Sequence, residues 1–78
     1  MKKVQKSYLI VVINNDGTLG KIFQRNTRAA AIIKATDEAH DLDQGYDYER
    51  ILKNFDDVGT EWNSEDNGRV VLCQAEDD

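Results

Sequence analysis

Six consecutive apolar residues near the start of the chain, Tyr8-Leu-Ile-Val-Val-Ile13, limit how it can fold. The run is rich in β-branched side chains and predicts a strand over residues 7–14. Successive side chains of a strand point to opposite faces, so both faces of this strand are apolar. Such strands usually lie inside a sheet and are covered on both sides. In a chain of only 78 residues, the second cover is expected to be another copy in a homodimer.

Two hairpin signals locate the other strands. Asn15-Asp16-Gly17 is typical of a tight turn, because these residue types tolerate positive φ. It predicts a returning strand from Leu19 to Gln24. Asp66-Asn67-Gly68 predicts a second hairpin, which joins a short strand over residues 60–64 to a last strand from Val70 to Gln74. Trp62, in the short strand, is expected to point inward.

Helical periodicity occupies the middle of the chain. Asn26 or Thr27 can cap a helix that starts near Arg28. Its apolar side chains recur on one arc at 100° per residue. That arc consists of Ile32, Ala35, Ala39 and Leu42, with Ala31 and Ile33 at its edges. Gly45 is expected to end this helix in a left-handed conformation.

A second helix is predicted after the glycine. Asp47 is its expected N-cap, and Gly59 is expected to stop it. Its apolar face comprises Tyr48, Ile51, Leu52, Phe55 and Val58. The element order ββααββ therefore predicts an α+β fold in two layers, an antiparallel sheet of about four strands with two helices packed on it.

The length allows one domain, residues 1–78, in which residues 75–78 are expected to form a frayed acidic tail. No apolar run approaches the roughly 20 residues that cross a bilayer, so no membrane association is expected. Cys73 is the single cysteine, which rules out an internal disulfide and fits a reducing cytoplasm.

Charge is divided unevenly along the chain. Residues 1–36 carry seven Lys or Arg and one acid, a net of +6. Residues 37–78 carry three Lys or Arg and fourteen acids, a net of −11, and the two halves sum to −5. Such asymmetry suggests an electrostatic partner, although the halves can also neutralise each other in the fold.

Nucleotide motifs in the sequence are incomplete. Residues 37–40 spell DEAH, but in a helicase that box works together with a phosphate loop in a much larger chain. A phosphate loop requires G-x-x-x-x-G-K followed by Ser or Thr. The stretch from Gly17 to Ile22 is two residues too short, and Ile22 occupies the hydroxyl position. Nucleotide hydrolysis is therefore not expected.

A calcium loop starting at Asp41 is also incomplete. An EF-hand requires glycine at its sixth position and glutamate at its twelfth, and here these are Tyr46 and Leu52. His40 and Asp37 are three residues apart on a helix, but the chain has no second histidine to complete a metal site. We therefore expect no metal and no cofactor.

Cysteine catalysis is not indicated either. Cys73 ends the apolar run that begins at Val70, where a small buried side chain is expected. It would act as a nucleophile only if the fold brought His40 to it as a base. The chain is accordingly predicted not to be an enzyme.

Carboxylates on the two predicted helices form the main candidate binding site. Most of them lie off the apolar arcs, and helical neighbours at i,i+4 stand about 5–6 Å apart. DNA carries its charges at a comparable density, one per roughly 3.4 Å along each strand. A rank of carboxylates can therefore occupy a groove built for phosphates, although acidic helix faces also simply keep small proteins soluble. The candidate partner-binding residues are Asp37, Glu38, Asp41, Asp43, Asp47, Glu49, Asp56 and Asp57.

The basic half supports an alternative hypothesis, a nucleic-acid-binding regulator. A patch around the first hairpin could hold phosphates, and Tyr8 or Phe23 could stack on bases. No RNP-like run, zinc finger or helix-turn-helix accompanies the patch, and the acidic half would repel nucleic acid. The basic residues are Lys2, Lys3, Lys6, Lys21, Arg25, Arg28 and Lys34.

The first hypothesis is a small acidic protein that docks its helices on the basic groove of a host or effector protein. It would act as a nucleic-acid mimic, an inhibitor or an adaptor. Many small acidic α/β proteins without a catalytic signature are encoded by phages and mobile elements, where they inhibit or redirect host nucleic-acid machinery, as anti-CRISPR and anti-restriction proteins do. A viral origin and a host cytoplasmic location are therefore part of this hypothesis. Direct binding to nucleic acid ranks second.

Overall fold

The computed structural model describes residues 5–55, 60–64 and 66–77, which form four antiparallel strands and two helices in the predicted order. The sheet order is β2-β1-β4-β3, so the α+β fold is confirmed. The elements are β1 (Gln5–Ile13), β2 (Leu19–Arg25), α1 (Arg28–Leu42), α2 (Tyr48–Asn54), β3 (Glu61–Ser64) and β4 (Gly68–Asp77).

The first hairpin forms at the predicted turn. Gly17 adopts a φ of 89°, which a residue with a side chain rarely adopts. The amide of Gly17 donates to the carbonyl of Asn14 at 2.9 Å, and the amide of Asn14 donates to the carbonyl of Thr18 at 2.8 Å. These bonds set the register in which Val11 faces Ile22 across β1 and β2.

The last strand is longer than predicted. β4 pairs with β1 along its whole length, from Arg69 opposite Ile13 to Asp77 opposite Gln5. The frayed tail expected at residues 75–78 is therefore wrong for residues 75–77, whose backbone belongs to the sheet; residue 78 lies outside the described part. β4 starts at Gly68, whose φ is 107° and where an added Cβ would lie 2.1 Å from the carbonyl oxygen of Ile13.

Helix α1 begins as predicted and ends differently. The hydroxyl of Thr27 accepts a hydrogen bond from the amide of Ala30 at 3.2 Å, which is an N-cap. At the other end Asp43 is the C-cap, and its amide donates to the carbonyl of Ala39 at 3.0 Å. The expectation of a left-handed Gly45 is wrong, because among the described residues only Gly17 and Gly68 have positive φ.

Helix α2 is shorter than predicted within the described residues. It ends at Asn54, and Phe55 forms its C-cap. Asp47 is the N-cap position, as expected, but its side chain makes no capping hydrogen bond. The predicted continuation through Val58 to Gly59 falls on residues 56–59, outside the described residues.

The hydrophobic core lies between the helices and one face of the sheet. Tyr8, Ile10 and Val12 of β1 point to this face, and partly buried Trp62 packs against the same core, as expected. α1 approaches the sheet through alanines, which let the helix come close to the strands. Burial of each large apolar side chain contributes roughly 1.5–3 kcal/mol. The other core residues are Ala31, Ala35, Ala39, Ile51, Phe55, Val70 and Leu72.

The opposite face of the sheet holds the alternate strand residues, and none of these belongs to the core cluster. We call this surface the open face. Registered pairs place its side chains side by side across three strands, with Val11 between Ile22 and Val71. The open-face apolar residues are Leu9, Val11, Ile13, Ile22, Val71 and Cys73. In the described part of the chain, only one face of the central strand β1 is therefore covered by helices.

Candidate partner-binding surface

Two of the predicted carboxylates lie on the exposed side of α1. The apolar and small residues of α1 face the sheet, so residues half a turn away face solvent. Asp37 and Asp41 are both exposed and occupy consecutive turns of the helix. Their i,i+4 spacing places the carboxylates about 5–6 Å apart at Cβ.

Tyr48, the first residue of α2, connects the two helices. Its hydroxyl donates to Oδ1 of Asp37 at 2.8 Å. Its ring contacts His40 edge to face, with centroids 5.9 Å apart. Partial burial raises the pKa of Tyr48, and the hydrogen bond to negatively charged Asp37 raises it further. The start of α2 is thereby held beside the carboxyl-terminal half of α1.

Two more predicted carboxylates lie at the start of α2, next to this contact. Asp47 and Glu49 flank Tyr48 in the sequence, and both are exposed. Within the described parts of the chain, none of these carboxylates has an ion-pair partner. We call the set Asp37, Asp41, Asp47, Glu49 and Tyr48 the acidic surface.

Glu38 takes part in the fold instead. Its residue is 9% exposed, and its carboxylate lies 3.2 Å from Nζ of Lys34 and 3.9 Å from Nζ of Lys21. The pair with Lys34 joins successive turns of α1, and the contact with Lys21 joins α1 to β2. Glu38 is therefore screened from a partner, which the helical pattern did not indicate.

Asp43 is also used within the fold. Its Oδ2 accepts from the indole nitrogen of Trp62 at 2.8 Å, and its Oδ1 accepts from the hydroxyl of Ser64 at 3.1 Å. Both donors are on β3, so this carboxylate fastens the end of α1 to the edge of the sheet. Asp56 and Asp57, the remaining predicted site residues, lie outside the described residues.

A groove between α2 and β3 was missed by the sequence reasoning. Its volume is about 750 Å³, and Asp43 and Tyr46 are among the residues that line it. The rings of Tyr46 and Trp62 meet edge to face with centroids 5.2 Å apart, and the guanidinium of Arg50 lies 5.5 Å from the centroid of Tyr46. These residues are far apart in sequence, and no motif links them.

Two basic residues of the alternative hypothesis, Lys21 and Lys34, both contact the carboxylate of Glu38. Lys34 lies over the ring of Phe23, 4.1 Å from its centroid, and this contact covers one ring face. Tyr8 is buried in the core, so it is not accessible for stacking on a base. Arg25 donates to the carbonyl of Gln24 at 2.7 Å. Lys2, Lys3 and the side chain of Lys6 lie outside the described residues.

The structure also separates the two residues of the catalytic hypothesis. Cys73 belongs to the open face, whereas His40 lies on α1 on the other side of the sheet. The described residues contain no group of three or more His, Cys, Asp or Glu side chains that could hold a metal ion. In the same part of the chain, no helix has both the length and the apolar character needed to span a membrane.

Comparison with known proteins adds no relative. No family model, no curated protein and no solved structure matches this chain.

Proposed function

We propose that this chain is a small non-enzymatic binding protein. Its acidic surface docks on the basic groove of a nucleic-acid-binding protein and thereby inhibits or redirects that protein. The observation that carries the proposal is the hydrogen bond from Tyr48 to Asp37, because it holds the start of α2, where Asp47 and Glu49 are exposed, beside α1.

The charge on this surface supports the proposal. Its four carboxylates have no ion-pair partners among the described residues, whereas Glu38 and Glu61 are paired within the chain. Unpaired carboxylates on rigid helices repel one another slightly and are stabilised when cations approach. A groove lined with Lys and Arg provides those cations, because it is built to hold phosphates at similar spacing.

Exposed apolar and aromatic side chains next to the carboxylates support a protein partner. Ile33, one turn before Asp37, is 52% exposed, and Tyr46 and Tyr48 are 44% and 37% exposed. Tyrosine is enriched at the centre of protein interfaces, where it contributes apolar contact area and a hydroxyl. A surface that carried only carboxylates would attract a basic partner electrostatically but would provide no apolar contact area.

The rigidity of the surface lowers the entropic cost of docking. The turn between the helices is held by the amide of Tyr46, which donates to the carbonyl of Asp43 at 3.1 Å. Asp43 is itself bonded to β3 through Trp62 and Ser64. Since the backbone that carries the carboxylates is held before binding, little backbone freedom is lost when a partner arrives.

The experiment compares two variants of equal charge. D41N/E49Q removes two carboxylates from the acidic surface, at side chains that make no hydrogen bond within the described residues. E61Q/D66N removes two from β3 and the following turn, and the Glu61–Arg69 pair that it breaks is half exposed and contributes little. Each change raises the formal net charge from −5 to −3.

Each protein is immobilised and incubated with nuclease-treated bacterial lysate at about 50 mM salt, and bound proteins are then eluted with duplex DNA. We expect DNA to release nucleic-acid-binding proteins from the unmodified chain and from E61Q/D66N. Capture by D41N/E49Q should fall about tenfold, which corresponds to roughly 1.4 kcal/mol. Equal capture by the two variants, or no release by DNA, contradicts the proposal.

A further inference from the structure

The open face is an apolar surface that the described helices leave uncovered. In a chain that buries its core on one side of the sheet, the other side would be expected to carry polar residues. Here Val11 of β1 lies between Ile22 of β2 and Val71 of β4, and the three side chains form an apolar row across the sheet. Ile22 is 55% exposed, so this apolar row is accessible from solvent.

Charge on the open face is balanced. Among its described side chains, the ionised groups are Arg69 and Glu61, which lie 3.6 Å apart on neighbouring strands. The described side chains of this face therefore sum to no formal net charge, although the chain as a whole carries −5. They lack the excess of Lys and Arg that attracts proteins to anionic membranes. They also lack the excess charge of either sign that would attract a strongly charged partner.

We propose that the open face is a self-association surface on which a second copy of this chain packs sheet on sheet. Apolar rows on two twisted sheets of the same shape interdigitate when the strands cross at about 30°. In a two-fold symmetric pair, the same patch serves on both copies, so an apolar and electrically neutral patch is complementary to itself.

The position of the acidic surface favours this arrangement. Both helices lie on the far side of the sheet, so they point outward in the pair. Sheets pack about 10 Å apart and a helix is about 10 Å across, which separates the helix layers of the two copies by roughly 30 Å. That distance exceeds the screening length of about 8 Å at physiological salt, so the carboxylates of two copies do not oppose the association.

The size of the face indicates how strong the pairing is. Four strands about 4.8 Å apart and some six residues long give a flat footprint of about 400 Å² on each copy. Two copies then bury on the order of 1,000 Å² once side-chain relief is included, which is the lower limit for a specific interface. We therefore expect a reversible dimer with a dissociation constant in the micromolar range.

Two isoleucines of nearly equal exposure provide a matched test. Ile22 on the open face is 55% exposed, and Ile33 on α1 is 52% exposed. I22K and I33K add the same charge and remove the same side chain. By sedimentation equilibrium from about 5 to 500 μM, the unmodified chain and I33K should approach twice the monomer mass, and I22K should dimerise at least tenfold more weakly. Circular dichroism checks that both variants are folded.

Cys73 gives a second readout that needs no substitution. It is the single cysteine and lies half buried on the open face. Its reaction with a bulky maleimide should slow as the concentration of the unmodified chain rises through the dimerisation range. A chain that stays monomeric throughout, equal effects of I22K and I33K, or a labelling rate independent of concentration would each overturn the proposal. These outcomes are separate from those for the acidic surface, because Ile22 and Cys73 lie on the other side of the sheet.

Discussion

The hydroxyl of Tyr48 donates a 2.8 Å hydrogen bond to Oδ1 of Asp37, and this contact sets the position of α2 against α1. One residue begins the short helix and the other lies in the middle of the long one. The bond is exposed, so its contribution to stability is modest, but it holds the start of α2 beside α1. The proposed docking surface depends on that juxtaposition.

Removing the hydroxyl group of Tyr48 should weaken the attachment of the start of α2 to α1. We expect Y48F to lower the free energy of unfolding by about 0.5–1 kcal/mol, since water replaces the lost partner of an exposed bond. Urea denaturation measures the change. Y46F is the matched control, because the hydroxyl of Tyr46 has no hydrogen-bond partner in the described part of the chain. If Y46F lowers the free energy of unfolding as much as Y48F does, the contact with Asp37 is not responsible for the loss.

The same bond should be visible in a pH titration. The pKa of Tyr48 is raised by burial first and by Asp37 second. Its contribution to stability is therefore complete below the unfolded pKa of about 10 and is lost as the pH rises through the higher folded value. D37N keeps a hydrogen-bond acceptor and removes the charge, so it should lower the pKa of Tyr48 while leaving it above its ordinary value. Nuclear magnetic resonance titration of the tyrosine ring follows this shift.

Asp43 is expected to be a structural carboxylate. D43A leaves the indole N–H of Trp62 and the hydroxyl of Ser64 without their acceptor, which should cost about 1–3 kcal/mol. Urea unfolding followed by the fluorescence of Trp62, the single tryptophan, measures this loss. The control D41A, two residues earlier and exposed, should stay within about 0.5 kcal/mol of the original. Equal losses of unfolding free energy in D43A and D41A would contradict a structural role for Asp43.

The sequence predicted the elements well, because their signals are local. The turn at Gly17 and the cap at Thr27 each depend on a few neighbouring residues. The continuous apolar run in β1 predicted that both faces of that strand are apolar. It could not show which face the helices cover, because that depends on how the chain crosses from β2 at one edge of the sheet to β3 at the other.

The candidate site was less predictable, because a helical pattern does not distinguish a carboxylate that is free on the surface from one that makes contacts within the fold. Asp43 meets Trp62 and Ser64 from 19 and 21 residues away, and Glu38 meets Lys21 across two elements. These long-range contacts removed two predicted residues from the binding surface. The end of β4 was missed for the same reason, since its pairing partner is at the other end of the chain.

Competition for a partner tests the central claim most directly. A DNA-releasable protein from the capture experiment is purified and loaded with fluorescent duplex DNA, and this chain is titrated into the complex while fluorescence anisotropy is recorded. We predict that the unmodified chain displaces the DNA completely, that D41N/E49Q needs about tenfold more protein, and that E61Q/D66N behaves like the unmodified chain. DNA that stays bound at saturating protein, or direct binding of this chain to the DNA alone, would contradict the account.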